Sequence, residues 1–397
     1  MSTTLIDKLF ATGASVTGKA YRMIAARRTR DGATQPLQTD NYGSLNIGFG
    51  NLTGTKDIFA RLRVSDPRSL FDGAQVLDRG DLKFVDSLVS GGTQTYLPNE
   101  ASSNLTVTGT SGSTAIRQSR QYIPYEPGRC QYAILTGNMH AAVANVRKRM
   151  GYFDASDGIF LEQNGTTDVA LTLRSFTSGS VSDAARFTQA NWNIDPLDGS
   201  GPSGKTLDLS KLVVFFVEFG WLGGAGVRCG FFLDGIPSYV HSFDVSANTT
   251  VYMSTPSLPV RYEIVSTAAS AGATLKMTCS VVFSEGGFDP AGIVCSQARY
   301  TGKSVNTTRS PLISVRLKSA YARGILIPLS AGAMVTSIDD CIGEIVIRGT
   351  LTGTPSWVDS DTLHSEYDIS ATGITGGIRV ASFLFNNNAG EIAAKIE

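Results

Sequence analysis

The chain has 397 residues, of which 34 are basic and 34 acidic, so its net charge is zero. A neutral chain gives no electrostatic reason to expect nucleic acid or an anionic membrane as a partner. Only 17% of the residues are charged and 42 are glycine, which favours many short strands and tight turns over long solvated helices. The length suffices for two or three domains.

Residues 1–66 contain few large apolar side chains and many glycines. They predict an extended N-terminal arm with a few short strands, for example at residues 44–48. A segment so poor in core residues is ordered by contacts with neighbouring chains. We therefore expect residues 1–66 to be a docking arm.

Strand signals are dense in residues 67–290. Residues 169–174 alternate between apolar and polar with period two, and residues 212–219 and 227–233 are long apolar runs. Asp234 and Gly235 form a dipeptide typical of a two-residue hairpin turn. This region predicts an antiparallel β-sandwich of jelly-roll or lectin-like type.

Residues 291–397 predict a smaller C-terminal β domain. The apolar runs at 324–329 and 343–348 are typical of buried strands, and residues 377–385 complete a small sheet. We expect no helix longer than a few turns, residues 146–150 being the nearest candidate. The predicted fold class is all-β.

Residues 199–206 match the spacing of a nucleotide phosphate loop, with Gly199, Gly204, Lys205 and Thr206 in the diagnostic positions. A phosphate loop follows a buried strand and opens a helix. Here a polar, proline-broken segment precedes the glycines and the strand at 212–219 follows them. The spacing therefore predicts a surface loop that enters a strand.

The cysteines and histidines show no metal-binding spacing. Five widely spaced cysteines predict reduced thiols without an intrachain disulfide, and His241 is expected to be an ordinary strand histidine. No cofactor or metal site is expected. The absence of a signal peptide and of a long apolar run predicts synthesis in the cytoplasm of a cell and no membrane insertion.

Carboxylates are the remaining candidates for a catalytic or ligand-binding role. Asp154, Asp157 and Glu162 follow the aromatic residue Tyr152, and these four are our candidate glycan contacts. Glycan hydrolysis needs two acids on opposite sides of a bond, and this spacing is not diagnostic of such a pair. A hairpin turn at 157–158 and weak calcium binding remain alternatives.

Short sequence segments along the chain resemble segments found in structural proteins of tailed phages. These are proteins of the fibre, spike or head-decoration type that is common in aquatic phages. The segments lie at residues 37–46, 59–67, 70–73, 125–129, 151–154, 158–160, 195–204, 206–209, 251–256 and 258–264. The resemblance covers most of residues 37–330. It implies a virion component, and it carries no catalytic residues over to this chain.

The expected function is that of a non-enzymatic phage virion structural protein, a tail-fibre, spike or capsid-attached fibre component. The arm is expected to contact other virion proteins. We expect a homo-oligomer, with a trimer favoured because fibres and spikes pair three like chains around an axis. One alternative is a glycan-binding module that recognises the host surface, and a weaker one is a glycan-cleaving tailspike that uses Asp154, Asp157 or Glu162.

Overall fold

The computed structural model describes residues 10–12, 22–27, 34–36, 56–64, 66–289, 292–321, 323–335, 340–360, 364–385 and 392–395. The chain divides into two units, Met1–Thr55 and Lys56–Glu397. The strand predicted at residues 44–48 lies outside the described residues. Within the described ranges, no helix has the length and apolar character needed to cross a bilayer.

Strands account for most of the regular structure. In chain order they are β1 (Phe10–Thr12), β2 (Arg22–Arg27), β3 (Thr34–Pro36), β4 (Arg68–Asp72), β5 (Phe84–Val89), β6 (Thr93–Leu97), β7 (Ser102–Val107), β8 (Thr114–Ser119), β9 (Cys130–Asn138), β10 (Val146–Phe153), β11 (Gly158–Asn164), β12 (Asp168–Ser175), β13 (Ser182–Thr188), β14 (Leu212–Gly220), β15 (Gly226–Leu233), β16 (Ile236–Phe243), β17 (Val260–Ser266), β18 (Ala273–Glu285), β19 (Ser314–Leu317), β20 (Ser330–Ala333), β21 (Cys341–Thr352), β22 (Val358–Asp359), β23 (Ser365–Asp368), β24 (Gly373–Phe385) and β25 (Ile392–Lys395). The helices in the described part of the chain are three single 3₁₀ turns, at Pro98–Glu100, Gln189–Asn191 and Ser319–Tyr321. The all-β class is confirmed, and residues 146–150 belong to strand β10.

Two antiparallel sheets form the sandwich. The seven-stranded sheet has the order β13-β12-β11-β10-β17-β8-β5, and the eight-stranded sheet has the order β16-β15-β14-β9-β18-β7-β6, with β4 paired to β18. Strands distant in sequence are neighbours in both, since β10 pairs with β17 and β9 pairs with β18. This is a jelly-roll, lectin-like sandwich. In the first unit, β1, β2 and β3 form a three-stranded sheet of their own.

Strand β14 shows why the two sheets pack together. Val213, Phe215, Val217 and Phe219 occupy alternate positions and all lie in the core between the sheets, as the alternation predicted. The ring of Phe215 lies 5.4 Å from that of Phe231 on the adjacent strand β15. Burial of these side chains drives the association of the two sheets.

The turn between β15 and β16 confirms the predicted hairpin. Asp234 has a φ of 54° and Gly235 a φ of 77°, and the flanking pair is Leu233 with Ile236. A tight two-residue turn with both φ angles positive matches the right-handed twist of the strands that it connects. The dipeptide therefore sets the register of this hairpin.

The C-terminal strands pair in small groups. β19, β23 and β22 form one sheet, β20 pairs with β25, and β21 pairs with β24 over most of their length. The prediction that residues 324–329 form a buried strand is wrong, since they form no strand and Ile327 and Leu329 are exposed. The run is apolar but Pro328 interrupts it, and no described strand pairs with it.

Candidate functional site

Two of the four candidate glycan contacts, Asp154 and Asp157, lie in the loop between β10 and β11. Asp154 Oδ1 accepts hydrogen bonds from the backbone N–H groups of Ser156 at 2.7 Å and Asp157 at 2.9 Å, which makes an Asx turn. Asp157 Oδ1 accepts from the N–H groups of Ser254 at 2.8 Å and Phe176 at 3.1 Å. The two carboxylates hold three loops together.

Arg323, from the segment between β19 and β20, compensates the charge of this acid pair. Its Nη2 lies 2.6 Å from Asp154 Oδ2 and its Nη1 lies 3.6 Å from Asp157 Oδ2. Both aspartates are buried, so water screens these ion pairs less than it screens surface pairs. The cluster ties the sandwich to the segment that carries Arg323.

Glu162 lies on β11, in an ion-pair network on the outer face of the seven-stranded sheet. Its Oε2 accepts a hydrogen bond from Arg149 Nε at 2.6 Å, and its Oε1 accepts one from Arg186 Nε at 2.9 Å. Arg186 also contacts Asp168 Oδ2 at 2.6 Å. Both carboxylate oxygens of Glu162 are therefore engaged by arginines, and Arg186 links Glu162 to Asp168.

Tyr152 lies on β10 and points into the core between the two sheets. Its hydroxyl lies 3.0 Å from the carbonyl oxygen of Ile123 and 3.1 Å from that of Pro256, and it accepts a hydrogen bond from the N–H of Leu258 at 3.1 Å. Burial raises the pKa of the Tyr152 hydroxyl above its ordinary value. The side chain joins the edge of the core to the chain segment before β17.

The structure brings Asp154 and Asp157 together and separates Glu162 from them. Glu162 is four residues along β11 from Gly158, about 13 Å at strand spacing. All four candidates are at most 4% exposed and contact protein groups. Glycan contact by these residues stays a prediction, and their observed contacts are structural ones.

A pocket of about 460 Å³ opens near the β11–β12 turn of the sandwich. Four chain segments surround it: the residues after β9, the turn between β11 and β12, the 3₁₀ turn at Gln189 and the segment before β14. Its lining residues are His140, Ala141, Ala142, Gln163, Thr166, Thr167, Asp168, Val169, Gln189, Thr206, Leu207, Asp208, Leu209 and Ser210. The lining combines apolar side chains with hydroxyl, amide and carboxylate groups.

Two buried polar atoms of the pocket residues have no hydrogen-bond partner in the structure: Gln163 Oε1 and His140 Nε2. The Gln163 side chain is 94% buried, and its Nε2 donates to the carbonyl oxygen of His140 at 3.5 Å. A buried acceptor without a partner costs about 1–3 kcal/mol. A ligand that donates a hydrogen bond here gives this oxygen the partner that the protein does not supply.

Burial lowers the pKa of the His140 imidazole, and the nearby charges of Lys148 and Lys276 lower it further. The imidazole is therefore neutral at pH 7 and takes part as a neutral hydrogen-bonding group. His140 itself has a φ of 55°, a left-handed conformation that directs its side chain away from the course of β9.

Lys148 holds the chain segment that carries His140. Its ammonium group is buried and donates hydrogen bonds to the carbonyl oxygens of Met139 and, at 2.8 Å, Ala141. Burial lowers the pKa of Lys148 to about 8. This internal cation fixes one wall of the pocket.

No spacing of residues in the sequence indicates the pocket. Its polar lining residues are at positions 140, 163, 166–168, 189, 206, 208 and 210, which belong to four separate segments of the chain. Gln163 stands next to the predicted residue Glu162, but alternation along β11 places the two side chains on opposite faces. No signal in the sequence singles out Gln163.

A second polar cluster covers the outer face of the eight-stranded sheet. The Sγ of Cys130 and the carboxylates of Glu218 and Glu285 lie within 4.8 Å of one another. Arg228 contacts Glu218 at 2.7 Å, and Arg63 contacts both Glu218 and Glu285 at 2.8 Å. Burial, followed by the charge of Glu218, raises the pKa of the Cys130 thiol.

The two guanidinium groups supply the positive charge that a metal ion would otherwise bring to these acids. Arg63 belongs to residues 56–64, and its guanidinium also lies 5.1 Å from the ring centre of Tyr132. The cluster therefore anchors residues 56–64, which the sequence analysis assigned to the arm, on the eight-stranded sheet. The arrangement is an ion-pair anchor.

The structure agrees that residues 199–206 form a surface loop. The carboxylate of Asp195 accepts hydrogen bonds from the N–H groups of Leu197 at 2.9 Å and Ser203 at 2.8 Å. Lys205 contacts Asp234 at 2.6 Å, and the next regular element is strand β14. A carboxylate already takes loop N–H donors that a phosphate would need, and no helix follows.

No protein-family model matches the chain, and no curated protein matches it. Several solved structures share its fold class. A protein of unknown function from Shewanella oneidensis MR-1 is 11% identical, with a TM-score of 0.35, over 58% of this chain and 93% of its own. A legume lectin-like domain from Entamoeba histolytica is 7% identical, with a TM-score of 0.33, over 54% and 96%.

A β-1,3-glucanase from Mycobacterium marinum is 12% identical, with a TM-score of 0.37, over 54% of this chain and 98% of its own. These proteins are β-sandwiches and include both an enzyme and a lectin-like domain. At such identities and TM-scores the likeness carries no argument about function.

Proposed function

We propose that the β-sandwich is a glycan-binding module and that the chain is a non-enzymatic structural component of a tailed-phage virion. One observation carries the glycan proposal: the pocket beside His140 contains the buried, unpartnered Gln163 Oε1. A sugar hydroxyl that donates to this oxygen gives it a hydrogen-bond partner that the protein does not supply.

The remaining wall of the pocket favours a neutral sugar over an acidic one. Asp208 contributes a carboxylate, which accepts hydrogen bonds from sugar hydroxyls and repels anionic groups. Thr166 and Thr167 contribute hydroxyls that both donate and accept, whereas the Ser210 hydroxyl donates to Asp208 Oδ1 at 2.6 Å and remains an acceptor. The polar groups therefore match a ligand that is rich in hydroxyls and carries no charge.

The pocket lacks an aromatic ring beyond the imidazole of His140. Sugar binding then rests on hydrogen bonds, which water competes for, and we expect a dissociation constant of about 1 mM for one site. Several copies of the chain in one particle raise the overall avidity without new contacts. Weak single sites suit a protein that is present in many copies.

The virion proposal is supported by the sequence resemblance over most of residues 37–330 and by the low share of charged residues. The non-enzymatic proposal is supported by the ion pairs of the candidate acids. Asp154 and Asp157 both pair with Arg323, and Glu162 pairs with Arg149 and Arg186. Carboxylates held in this way serve structure better than acid–base chemistry.

A glycan array probed with the full chain tests the glycan proposal. We expect selective binding to neutral glycans, with loss of binding in Thr167→Tyr, because a ring at this exposed rim position fills the pocket. Thr250→Tyr is the matched control, since Thr250 is an equally exposed threonine outside the pocket lining. Binding that Thr167→Tyr leaves unchanged, or no selective binding, contradicts the proposal.

Two further measurements test the virion proposal and the non-enzymatic proposal. Peptides of this chain should appear in mass spectra of purified particles of a phage that encodes it, and their absence contradicts the virion proposal. Purified chain should release no fragments from host-surface polysaccharide. Release of fragments that stops in Asp154→Asn, Asp157→Asn or Glu162→Gln would instead establish the glycan-cleaving alternative.

A further inference from the structure

The described residues after position 291 have almost no core of their own. Of the buried hydrophobic residues in the described chain, only Ala371 and Phe385 lie in this region, whereas the sandwich contains 45. Eighteen large hydrophobic side chains of the region are exposed, against thirteen in the much longer segment 56–289. The C-terminal strands therefore present apolar surface that a single chain leaves in water.

The β21–β24 ribbon shows this most clearly. The two strands have 12 and 13 residues and pair only with each other among the described strands. Ile342 and Leu384 stand directly opposite on the ribbon and are 73% and 63% exposed. An isolated two-stranded ribbon is at best marginally stable in water, so a ribbon of this length needs a covering layer.

The charges of the C-terminal region limit which kind of molecule can cover the ribbon. Residues 292–397 contain nine basic and nine acidic residues. Glu344 on β21 is paired with Arg379 on β24 at 2.9 Å and with Arg309 at 2.7 Å. A surface whose charges are compensated internally selects neither an acidic nor a basic partner, and it does not repel a copy of itself.

We infer that the described residues between positions 292 and 385 form the surface through which this chain associates with further copies of itself, with the β21–β24 ribbon at its centre. Interfaces of standard size use about 20–30 residues a side, and the eighteen exposed hydrophobic residues are of that order. The unpaired outer edges of β21 and β24 offer backbone groups that the same strands of a second copy can pair. This inference is independent of the glycan proposal.

The mass of the full chain in solution, measured by light scattering across a concentration series, tests the inference. We expect a homo-oligomer, for which the trimer predicted from the sequence is one closed form. The double substitution Ile342→Lys with Leu384→Glu keeps a favourable cross-strand pair but places two charges on the apolar face. We expect it to weaken association at least about tenfold, or 1.4 kcal/mol.

Leu77→Lys with Ile236→Glu is the matched control, because both residues are exposed apolar side chains of the sandwich. This variant should associate like the unaltered chain. A monomeric unaltered chain, or an oligomer that the ribbon variant leaves intact, overturns the inference. The same holds if the control variant, and not the ribbon variant, dissociates.

Hydrogen exchange on the unaltered chain gives an answer even if the ribbon variant does not fold. Outer-edge amides of β21 and β24 should exchange slowly in the concentrated protein and at least about tenfold faster after dilution below the association range. Exchange rates of these amides that do not change with concentration mean that no second copy covers the ribbon. The inference would then be wrong.

Discussion

Mild acid should destabilise the sandwich through one buried histidine, His241 on β16. Its ring packs between Phe187 and Phe243, with ring centres 4.5 and 4.7 Å away. Its Nδ1 accepts a hydrogen bond from the N–H of Asn193 at 3.2 Å, so the neutral ring carries its proton on Nε2. Burial lowers the pKa of His241 from 6.5 to about 4. A second proton would have to displace the Asn193 hydrogen bond and charge a group that is 2% exposed.

The size of the effect follows from proton linkage. Between pH 6.5 and 4 the unfolded chain binds a proton at this histidine and the folded chain does not, so the free energy of unfolding falls as the pH falls. On going from pH 7 to pH 5, a shift of this size costs about 2 kcal/mol of stability, and about 3 kcal/mol by pH 4. Most of the stability that is lost by pH 5 is lost at pH values above the pKa of ordinary carboxylates.

Urea denaturation followed by tryptophan fluorescence, at pH 7 and at pH 5, measures this loss. His241→Asn is the control, because the asparagine amide oxygen can accept the Asn193 N–H and has no group that titrates in this range. The variant will be less stable at pH 7, since the smaller side chain leaves a cavity. Its loss between pH 7 and pH 5 should nevertheless be smaller than that of the unaltered chain by about 2 kcal/mol. Equal losses in the two proteins would refute the assignment of the acid effect to His241.

Three further predictions concern the core, the thiols and the arm. Phe215→Ala should lower the free energy of unfolding by about 3–5 kcal/mol because it empties a buried ring site, whereas Lys205→Ala should cost about 0.5 kcal/mol or less; the reverse order in urea denaturation would show that the 199–206 loop is a site. Intact mass of the unreduced protein should match five free thiols, and a deficit of two hydrogens would reveal a disulfide. Deletion of residues 1–50 should leave a folded β protein, since the unit Lys56–Glu397 contains the sandwich core, and that protein should no longer join particles. Incorporation at normal stoichiometry would place docking elsewhere.

Much of the sandwich was predictable because its signals are local. The alternation in residues 212–219 reports a strand with one face in the core, and the Asp234-Gly235 dipeptide reports a turn that needs positive φ. The apolar run at 324–329 shows the limit of such signals. It reads as a buried strand, yet burial requires a second layer that the run itself does not encode, and Ile327 is exposed.

The candidate site was predictable only in part. Acids near an aromatic residue suggest glycan contact, but the role of Asp157 depends on the backbone N–H of Ser254, almost a hundred residues away. Whether a carboxylate is held by an arginine is likewise a property of packed strands, as with Glu162 and Arg149. The residue types determine which chemical groups the chain contains. The fold decides which of these groups are left without structural contacts.

The amino-acid sequence by itself determined the neutral charge, the all-β class, the strand alternation of the core and the loop character of residues 199–206, because each depends on neighbours within a few residues. The tertiary structure alone decided the pocket and the exposed C-terminal surface. Gln163 Oε1 is buried without a partner because four chain segments meet at the pocket. Ile342 is exposed because β21 and β24 pair with each other and no described layer covers them. Long-range strand pairing sets both, and no local pattern specifies which distant strands pair.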